Sequence, residues 1–198
     1  MGACTKNSGK SGLEKAVESI RGSYKCVSMV YLGDPMDLDN DGECGTDLKK
    51  EFESFSFAKT VFDNPFFVYP ASEYGVEEVF NIEVPAQSIK YNKFYKQYSL
   101  SGEYCGGFTT LHYSYFVRDN NELSFAVRND LNHIEPSWDG DVEFDNIDIY
   151  NTHGESVVSF KDGVLTVRVV GAFYDFHTGQ FVTGPVELVY ERFSYAVN

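Results

Sequence analysis

The sequence predicts an all-β fold, an antiparallel up-and-down barrel, on three observations. Short segments in which apolar and polar residues alternate recur along most of the chain, and period-two alternation is typical of half-buried strands. Turn sequences rich in Gly, Asn and Asp separate these segments. Aromatic residues, which favour strands, make up 16% of the chain. The same pattern also permits a β-sandwich.

One short amphipathic helix is predicted before the first strand, over residues 12–21. Ser11 and Glu14 have the spacing of a capping box, in which each side chain accepts a hydrogen bond from the other residue's backbone N–H group. Apolar residues then recur at helical spacing, at Leu13, Val17 and Ile20. Gly22 is expected to end this helix, and the first strand follows directly at Tyr24.

Nine or ten short strands are expected in all. Their alternating positions are Tyr24, Cys26, Ser28 and Val30; Phe80, Ile82 and Val84; Leu111, Tyr113, Tyr115 and Val117; Leu123, Phe125 and Val127; Val142 and Phe144; Ile147 and Ile149; Val157 to Phe160; Leu165, Val167 and Val169; and Val186, Leu188 and Tyr190. The turn sequences 119–121, 161–163 and 177–179 predict hairpins between consecutive strands. A second short helix is predicted over residues 47–55.

The domain organisation predicted is a flexible tether, residues 1–11, followed by a single β-barrel domain, residues 12–198. The tether is rich in Gly, Ser and Lys, as flexible linkers are. Its first four residues, Met-Gly-Ala-Cys, resemble the end of a bacterial lipoprotein signal. That resemblance implies a lipid on Cys4 and an outer-membrane lipoprotein of the bacterial cell envelope. The alternative is a disordered terminus with an incidental cysteine.

The segment 37–47, which reads Asp-Leu-Asp-Asn-Asp-Gly-Glu-Cys-Gly-Thr-Asp, predicts a structural calcium site. Carboxylates at positions 1, 3 and 5 with Gly at position 6 match the start of an EF-hand loop, and calcium binds six to eight hard oxygens. The candidate ligands are Asp37, Asp39, Asp41, Glu43 through its carbonyl, and Asp47. The alternative is a solvated acidic turn.

The loop departs from an EF-hand at its end. Position 12 is Leu48, where an EF-hand has a bidentate Glu. Asp47 is the first candidate for that ligand, and Glu51, one helical turn later, is the substitute. The segment before the loop is predicted as strand, so this would be a calcium loop outside a true EF-hand.

The net charge of −14 argues against nucleic-acid binding, because such a surface repels phosphate backbones. The four histidines are isolated, and the chain has no nucleophile elbow, phosphate loop or zinc spacing, so no enzyme activity is predicted. Contact with a membrane is expected only through the lipid on Cys4. Cys26, Cys44 and Cys105 allow one disulfide at most, and the pairing stays open.

Two short motifs resemble those of lipocalins. Gly22-Ser23-Tyr24-Lys25 resembles the Gly-x-Trp entry to the first lipocalin strand, with Tyr24 in place of Trp. The segment 187–192 resembles the final strand, in which an Arg, here Arg192, packs over that ring. The closer resemblance is to lipocalin-like envelope lipoproteins with an Asp-rich loop and short helix after the first strand. It implies a closed barrel with an internal cavity and no particular ligand.

The function expected is non-enzymatic: a calcium-stabilised, lipocalin-like lipoprotein that binds a small apolar ligand or a partner protein. A β-sandwich glycan-binding or adhesion module on the cell surface is the first alternative, in which the aromatic residues would lie on an exposed face. An envelope enzyme with a cryptic site, built from residues distant in sequence, is the second.

Overall fold

Antiparallel β-strands dominate the chain, whose structure is a computed structural model. It describes residues 10–55, 58–87, 89–92, 94–100, 106–128, 150–151 and 156–195. The helices are α1 (Gly12–Ile20), α2 (Leu48–Glu51) and α3 (Ala58–Asp63), and a 3-10 turn, Phe52–Ser54, follows α2. The strands are β1 (Gly22–Tyr31), β2 (Phe66–Val68), β3 (Glu78–Gln87), β4 (Ile89–Asn92), β5 (Gln97–Leu100), β6 (Gly106–Val117), β7 (Leu123–Val127), β8 (Tyr150–Asn151), β9 (Val157–Lys161), β10 (Val164–Asp175) and β11 (Gln180–Ser194).

The described strands form three antiparallel groups. The largest sheet, curled into a half-barrel, has the order β2-β1-β11-β10, with β8 and β9 pairing with different parts of β10. The second sheet has the order β3-β6-β7, and β4 and β5 form a separate hairpin. The first and the last strand of the chain, β1 and β11, therefore lie side by side.

The alternation read from the sequence places the predicted side chains in the core. Along β10 and β11 the pairs Leu165–Tyr190, Val167–Leu188 and Val169–Val186 face each other and are buried. In β1 the set of side chains that points into the core changes part-way along the strand. Cys26 pairs with Tyr190 of β11, and Ser28 pairs with the neighbouring residue Val189, so Val27 is an extra residue in β1. This bulge turns Met29 and Tyr31 inward where simple alternation predicts Ser28 and Val30.

A column of stacked aromatic rings fills the space between the two sheets. The ring of Phe66 lies 5.4 Å from that of Tyr24 and 6.0 Å from that of Phe80, and Phe80 lies 5.7 Å from Tyr113. Tyr190 meets Phe66 edge-on at 5.0 Å. Burial of such large rings is the main stabilising contribution of this core.

The capping box predicted for α1 is present. Glu14 N–H donates to Ser11 Oγ at 3.2 Å, and Ser11 N–H donates to Glu14 Oε2 at 2.6 Å. The other end of the helix is capped from β11, where Arg192 Nη1 donates to the carbonyl of Ser19 and, at 3.3 Å, to that of Arg21. Arg192 is also the cross-strand partner of Tyr24.

The two large sheets approach each other along two seams. β3 lies beside β2, and β7 beside β9, but no hydrogen-bonded ladder joins either pair in the described part of the chain. The described residues therefore show a mostly antiparallel β fold with a half-barrel sheet, and the fully closed barrel stays a prediction.

Most predicted elements are confirmed. The turns at 119–121, 161–163 and 177–179 join β6–β7, β9–β10 and β10–β11, and the predicted helix 47–55 is α2 with its 3-10 turn. The sequence reasoning missed α3, β2 and the β4–β5 hairpin. The predicted strand segment 142–149 and the tether as far as residue 9 lie outside the described residues. None of the helices in the described ranges is long and apolar enough to span a bilayer.

Candidate metal centre

The Asp-rich loop is held at both ends by β-bridges. Met36 and Gly45 exchange two N–H···O bonds of 3.0 Å across the loop, and Val30 forms a bridge with Asp47. Leu38 and Met36 are fully buried, so apolar packing also fixes the loop. These contacts fix the backbone of the loop and therefore the positions of its acidic residues.

Two distant elements bind the start of the loop. Asp37 N–H donates to Asp175 Oδ1 at 3.0 Å, and Phe176 N–H donates to the Asp37 carbonyl at 2.8 Å. Gln87 Nε2, at the end of β3, donates to the Leu38 carbonyl at 2.8 Å. The loop, the β10–β11 turn and the end of β3 therefore meet at one end of the molecule.

Inside the loop, the Asp37 carboxylate organises the backbone. Its Oδ1 accepts the N–H groups of Asn40 at 2.7 Å and Asp41 at 3.3 Å, and its Oδ2 accepts that of Gly42 at 3.0 Å. Asn40 and Gly42 have positive φ angles of 62° and 88°, conformations that Asn and Gly tolerate best. Gly42 therefore lies in a sharp turn, as the Gly at position 6 of an EF-hand loop does.

Three carboxylates converge at this loop: Asp37, Asp39 and Glu51. One oxygen from each lies within 4.8 Å of the others. Asp37 and Glu51 are buried, and Asp39 is half-buried. Hard oxygens of this kind at this spacing can hold a metal ion.

Glu51 reaches the loop because α2 begins at Asp47. The Asp47 carboxylate caps the helix by accepting the N–H groups of Lys49 at 3.1 Å and Lys50 at 3.3 Å. One turn later, Glu51 Oε2 accepts the Leu38 N–H at 3.2 Å. A Cβ at Gly45 would lie 2.5 Å from Glu51 Oε1, so a glycine leaves room for this carboxylate.

The electrostatics of Glu51 are unfavourable without a cation. Burial raises the pKa of its carboxyl above the ordinary value, and the charges of Asp39, Asp41 and Asp37 raise it further, against the lowering effect of the Leu38 hydrogen bond. In the described residues no Lys or Arg forms an ion pair with any of the three converging carboxylates.

The structure brings two of the five predicted ligands, Asp37 and Asp39, together with the substitute Glu51. The other three have different contacts. Asp41 Oδ1 accepts the Glu43 N–H at 2.7 Å, the Glu43 carboxylate faces Lys50 Nζ at 3.4 Å, and Asp47 caps α2. As metal ligands these three stay predictions, with Glu43 expected to act through its carbonyl.

The two thiols in the described part of the chain give no sign of metal binding or pairing. Cys26 and Cys44 are free, and burial raises the pKa of the Cys26 thiol to about 11. A buried thiol with so high a pKa is a poor nucleophile at neutral pH. Cys4 and Cys105, and with them the predicted lipid site and third possible disulfide partner, lie outside the described residues.

Two open clefts coincide with the two seams of the fold. A cleft of about 720 Å³ at the β2–β3 seam is lined by the rings of Phe66, Phe67 and Tyr69, and Glu83 is on its rim. A cleft of about 350 Å³ lies at the β7–β9 seam, beside Val157. The larger one has the size of a small-molecule site.

Comparison with known proteins adds no family to this description. No family model, no curated protein and no solved structure matches the chain. Any assignment of function therefore depends on the geometry of the loop and the clefts.

Proposed function

We propose that this protein is a calcium-stabilised binding protein of lipocalin type, anchored in the bacterial cell envelope by a lipid on Cys4. The observation that carries the proposal is the convergence of Asp37, Asp39 and Glu51 within 4.8 Å. Three carboxylates this close repel one another unless a cation lies between them. A divalent cation held by oxygen ligands is the simplest partner for them.

Calcium suits the site better than the other common divalent cations. All three side chains offer carboxylate oxygens, which calcium and magnesium prefer, whereas zinc and copper favour His and Cys. Calcium tolerates irregular geometry with six to eight ligands, and magnesium requires a near-ideal octahedron. The Glu43 carbonyl and water would supply further oxygens. The ion would pin the loop against Gln87 and Asp175.

The strand order supports the proposal of a closed barrel. Around the molecule the strands run β1, β2, β3, β6, β7, β9, β10, β11 and back to β1, with ladders at every step except the two seams. That is the order of an up-and-down barrel of eight strands. The pairing of Tyr24 with Arg192 places the two lipocalin-like motifs side by side, which supports the lipocalin type.

The ligand is expected in the cleft at the β2–β3 seam. The aromatic column through Phe66 and Phe80 fills the middle of the molecule, so this cleft, rather than a central cavity, would take a small apolar molecule. Glu83 is the only carboxylate of the described lining, which has no His, Cys or Lys. Such a lining favours binding over catalysis.

Thermal unfolding of the non-acylated chain in calcium and in EDTA tests the proposal. If calcium exceeds its dissociation constant about 100-fold, it stabilises the fold by about 2.7 kcal/mol. For a chain of this size the Tm should rise by roughly 5–10 °C. Glu51→Gln and Asp39→Asn should each abolish this rise. Native mass spectrometry of protein from its own cells should show bound calcium, a lipid and any retained ligand.

The matched control is Glu43→Gln, which removes an exposed carboxylate of the same loop outside the cluster. This variant should keep the full response to calcium, because only the Glu43 carbonyl is expected to contact the ion. Equal melting curves in calcium and EDTA for the unaltered chain would exclude the metal site.

A further inference from the structure

The β4–β5 hairpin carries the most exposed aromatic side chains in the described part of the chain. Phe94 is 85% exposed and Tyr95 is 69% exposed. Their rings touch edge to face at 5.0 Å and form one apolar knob at the hairpin tip. Single exposed aromatics are common on proteins, but two adjacent ones at the tip of a projecting hairpin indicate a contact surface.

The knob is held by a preformed turn on a rigid base. Asn92 Oδ1 accepts the N–H groups of both Phe94 and Tyr95 at 3.0 Å, which fixes the turn. Below it, the Tyr91 ring lies 4.9 Å from that of Tyr98, and Tyr98 lies 4.7 Å from Tyr174 of β10. A contact made by this tip therefore orders few side chains, which favours binding.

The hairpin has a charge opposite to that of the molecule. Residues 89–100 contain three lysines and no acidic residue, in a chain with a net charge of −14. Lys90 and Lys96 are exposed and lie before and after the aromatic knob in the chain. The hairpin is therefore a basic and aromatic projection from an acidic protein, and its charge is complementary to an anionic surface.

We propose that this hairpin tip docks onto an anionic lipid bilayer. Aromatic rings prefer the interfacial layer of a membrane, and nearby lysines are attracted to anionic headgroups. The size of the knob favours a bilayer over a protein. Two rings of roughly 150–250 Å² each provide about 400 Å², whereas a stable protein interface takes about 800 Å² from each partner. Lipids can rearrange around a convex tip, whereas a protein partner would need a groove of matching shape.

The acidity of the rest of the protein orients this contact. Acidic surfaces repel an anionic bilayer, but salt screens charges that lie more than about 8 Å away at physiological ionic strength. An approach with the hairpin first brings Lys90, Lys96 and the two aromatic rings within that distance of the headgroups. The contact is additional to a lipid anchor on Cys4 and independent of calcium.

Flotation of the non-acylated chain with lipid vesicles in EDTA tests the proposal. The chain should float with vesicles of phosphatidylcholine mixed with phosphatidylglycerol and much less with phosphatidylcholine alone. Phe94→Ser/Tyr95→Ser should weaken binding at least about tenfold. Lys90→Gln/Lys96→Gln should weaken it about 25-fold, from about fivefold per lysine. EDTA keeps this result separate from the behaviour of the Asp-rich loop.

The matched control is Phe193→Ser, which removes a 56% exposed ring from the far end of β11. It should bind like the unaltered chain. Absence of flotation, equal binding to neutral vesicles, or full binding by Phe94→Ser/Tyr95→Ser would each overturn the proposal. A dimer without vesicles in sedimentation velocity that these two substitutions abolish would also overturn it, in favour of a second copy of this chain.

Discussion

Two neighbouring carboxylates of the loop region have opposite pKa shifts. Burial alone would raise the pKa of Asp175, but hydrogen bonds from the Thr178 hydroxyl and from the N–H groups of Asp37 and His177 outweigh it and lower the pKa below the ordinary value of 3.8. Asp175 therefore stabilises the fold above pH 3.8, and this contribution is lost as the pH falls through its lowered pKa. Glu51 is buried among like charges, so its pKa is raised.

The raised pKa of Glu51 predicts that this residue destabilises the metal-free protein. Above its ordinary pKa of 4.5, the folded state holds a proton on Glu51 more tightly than the unfolded state. Stability therefore falls as the pH rises from 4.5 through the raised pKa. In EDTA at neutral pH, Glu51→Gln should be about 0.5–2 kcal/mol more stable than the unaltered chain, as is common when a functional group is removed.

Urea denaturation at a series of pH values measures the difference in unfolding free energy between Glu51→Gln and the unaltered chain. It should shrink toward zero as the pH falls below 4.5, where Glu51 is protonated in both states. In calcium the unaltered chain should be the more stable of the two, because Glu51→Gln lacks one of the metal ligands. A Glu51→Gln variant that is less stable in EDTA at neutral pH would show that Glu51 supports the loop by its hydrogen bond to Leu38 rather than as a metal ligand.

At the scale of elements, Arg192 joins the last strand to the first helix. The last turn of α1 has no basic residue of its own, and Arg192 supplies the positive charge to its unpaired carbonyls. The guanidinium also lies 4.1 Å from the centre of the Tyr195 ring. One side chain thus connects the helix, β11 and the chain segment after it.

Arg192→Ala should destabilise the protein by about 1.5–3 kcal/mol, the usual contribution of charged hydrogen bonds. For this chain length the Tm should fall by roughly 4–10 °C. Arg168→Ala is the matched control, since Arg168 forms an exposed ion pair with Glu187 at 2.7 Å. Such pairs contribute at most about 1 kcal/mol. Equal Tm losses in the two variants would show that Arg192 acts only as a surface charge.

The sequence predicts an element well when residues close together in the chain determine it, and poorly when distant contacts do. The strands from β9 to β11 are predicted correctly because their side chains alternate between a more buried and a more exposed face and a turn containing Gly lies beside each strand. The stretch 55–68 is apolar without a clear period, so α3 and β2 were missed. The β4–β5 turn has no Gly, and it depends on the Asn92 side chain and on Lys96 at a φ of 54°.

In the candidate site, too, the sequence predicts local geometry better than contacts between separate elements. The spacing of the loop predicts the convergence of Asp37 and Asp39, but it predicts the same for Asp41, whose Oδ1 instead accepts the Glu43 N–H group. The third carboxylate depends on where the following helix starts. Asp47 is used as the N-cap of α2, and the next turn of that helix then directs Glu51 at the loop. That geometry depends on tertiary packing, which spacing alone does not encode.

At the scale of the whole molecule, the described strands form two large sheets that share a core and are open along two seams, with the β4–β5 hairpin as a separate group. The cleft of about 720 Å³ lies where β2, with three residues, faces the much longer β3. A short edge strand leaves side chains and backbone groups of its neighbour uncovered. The filled interior and the open seam together predict that small apolar molecules enter from the side of the sheet.

A fluorescent apolar probe such as N-phenyl-1-naphthylamine measures this binding. Val79→Arg, in the lining of the β2–β3 cleft, should weaken probe binding at least about tenfold by placing a long charged side chain where the apolar probe would lie. Val27→Arg is the matched control, because Val27 is 42% exposed and Val79 37% exposed, and Val27 does not line a described cleft. It should leave probe binding unchanged.

Val157→Arg at the second seam separates the two clefts. This cleft has about half the volume of the first, and Val157 is on its lining. If the β2–β3 cleft is the ligand site, Val157→Arg binds the probe like the unaltered chain. A loss with Val157→Arg but not with Val79→Arg would move the ligand site to the β7–β9 seam. Equal losses in all three variants would mean that the probe reports general exposure of the core.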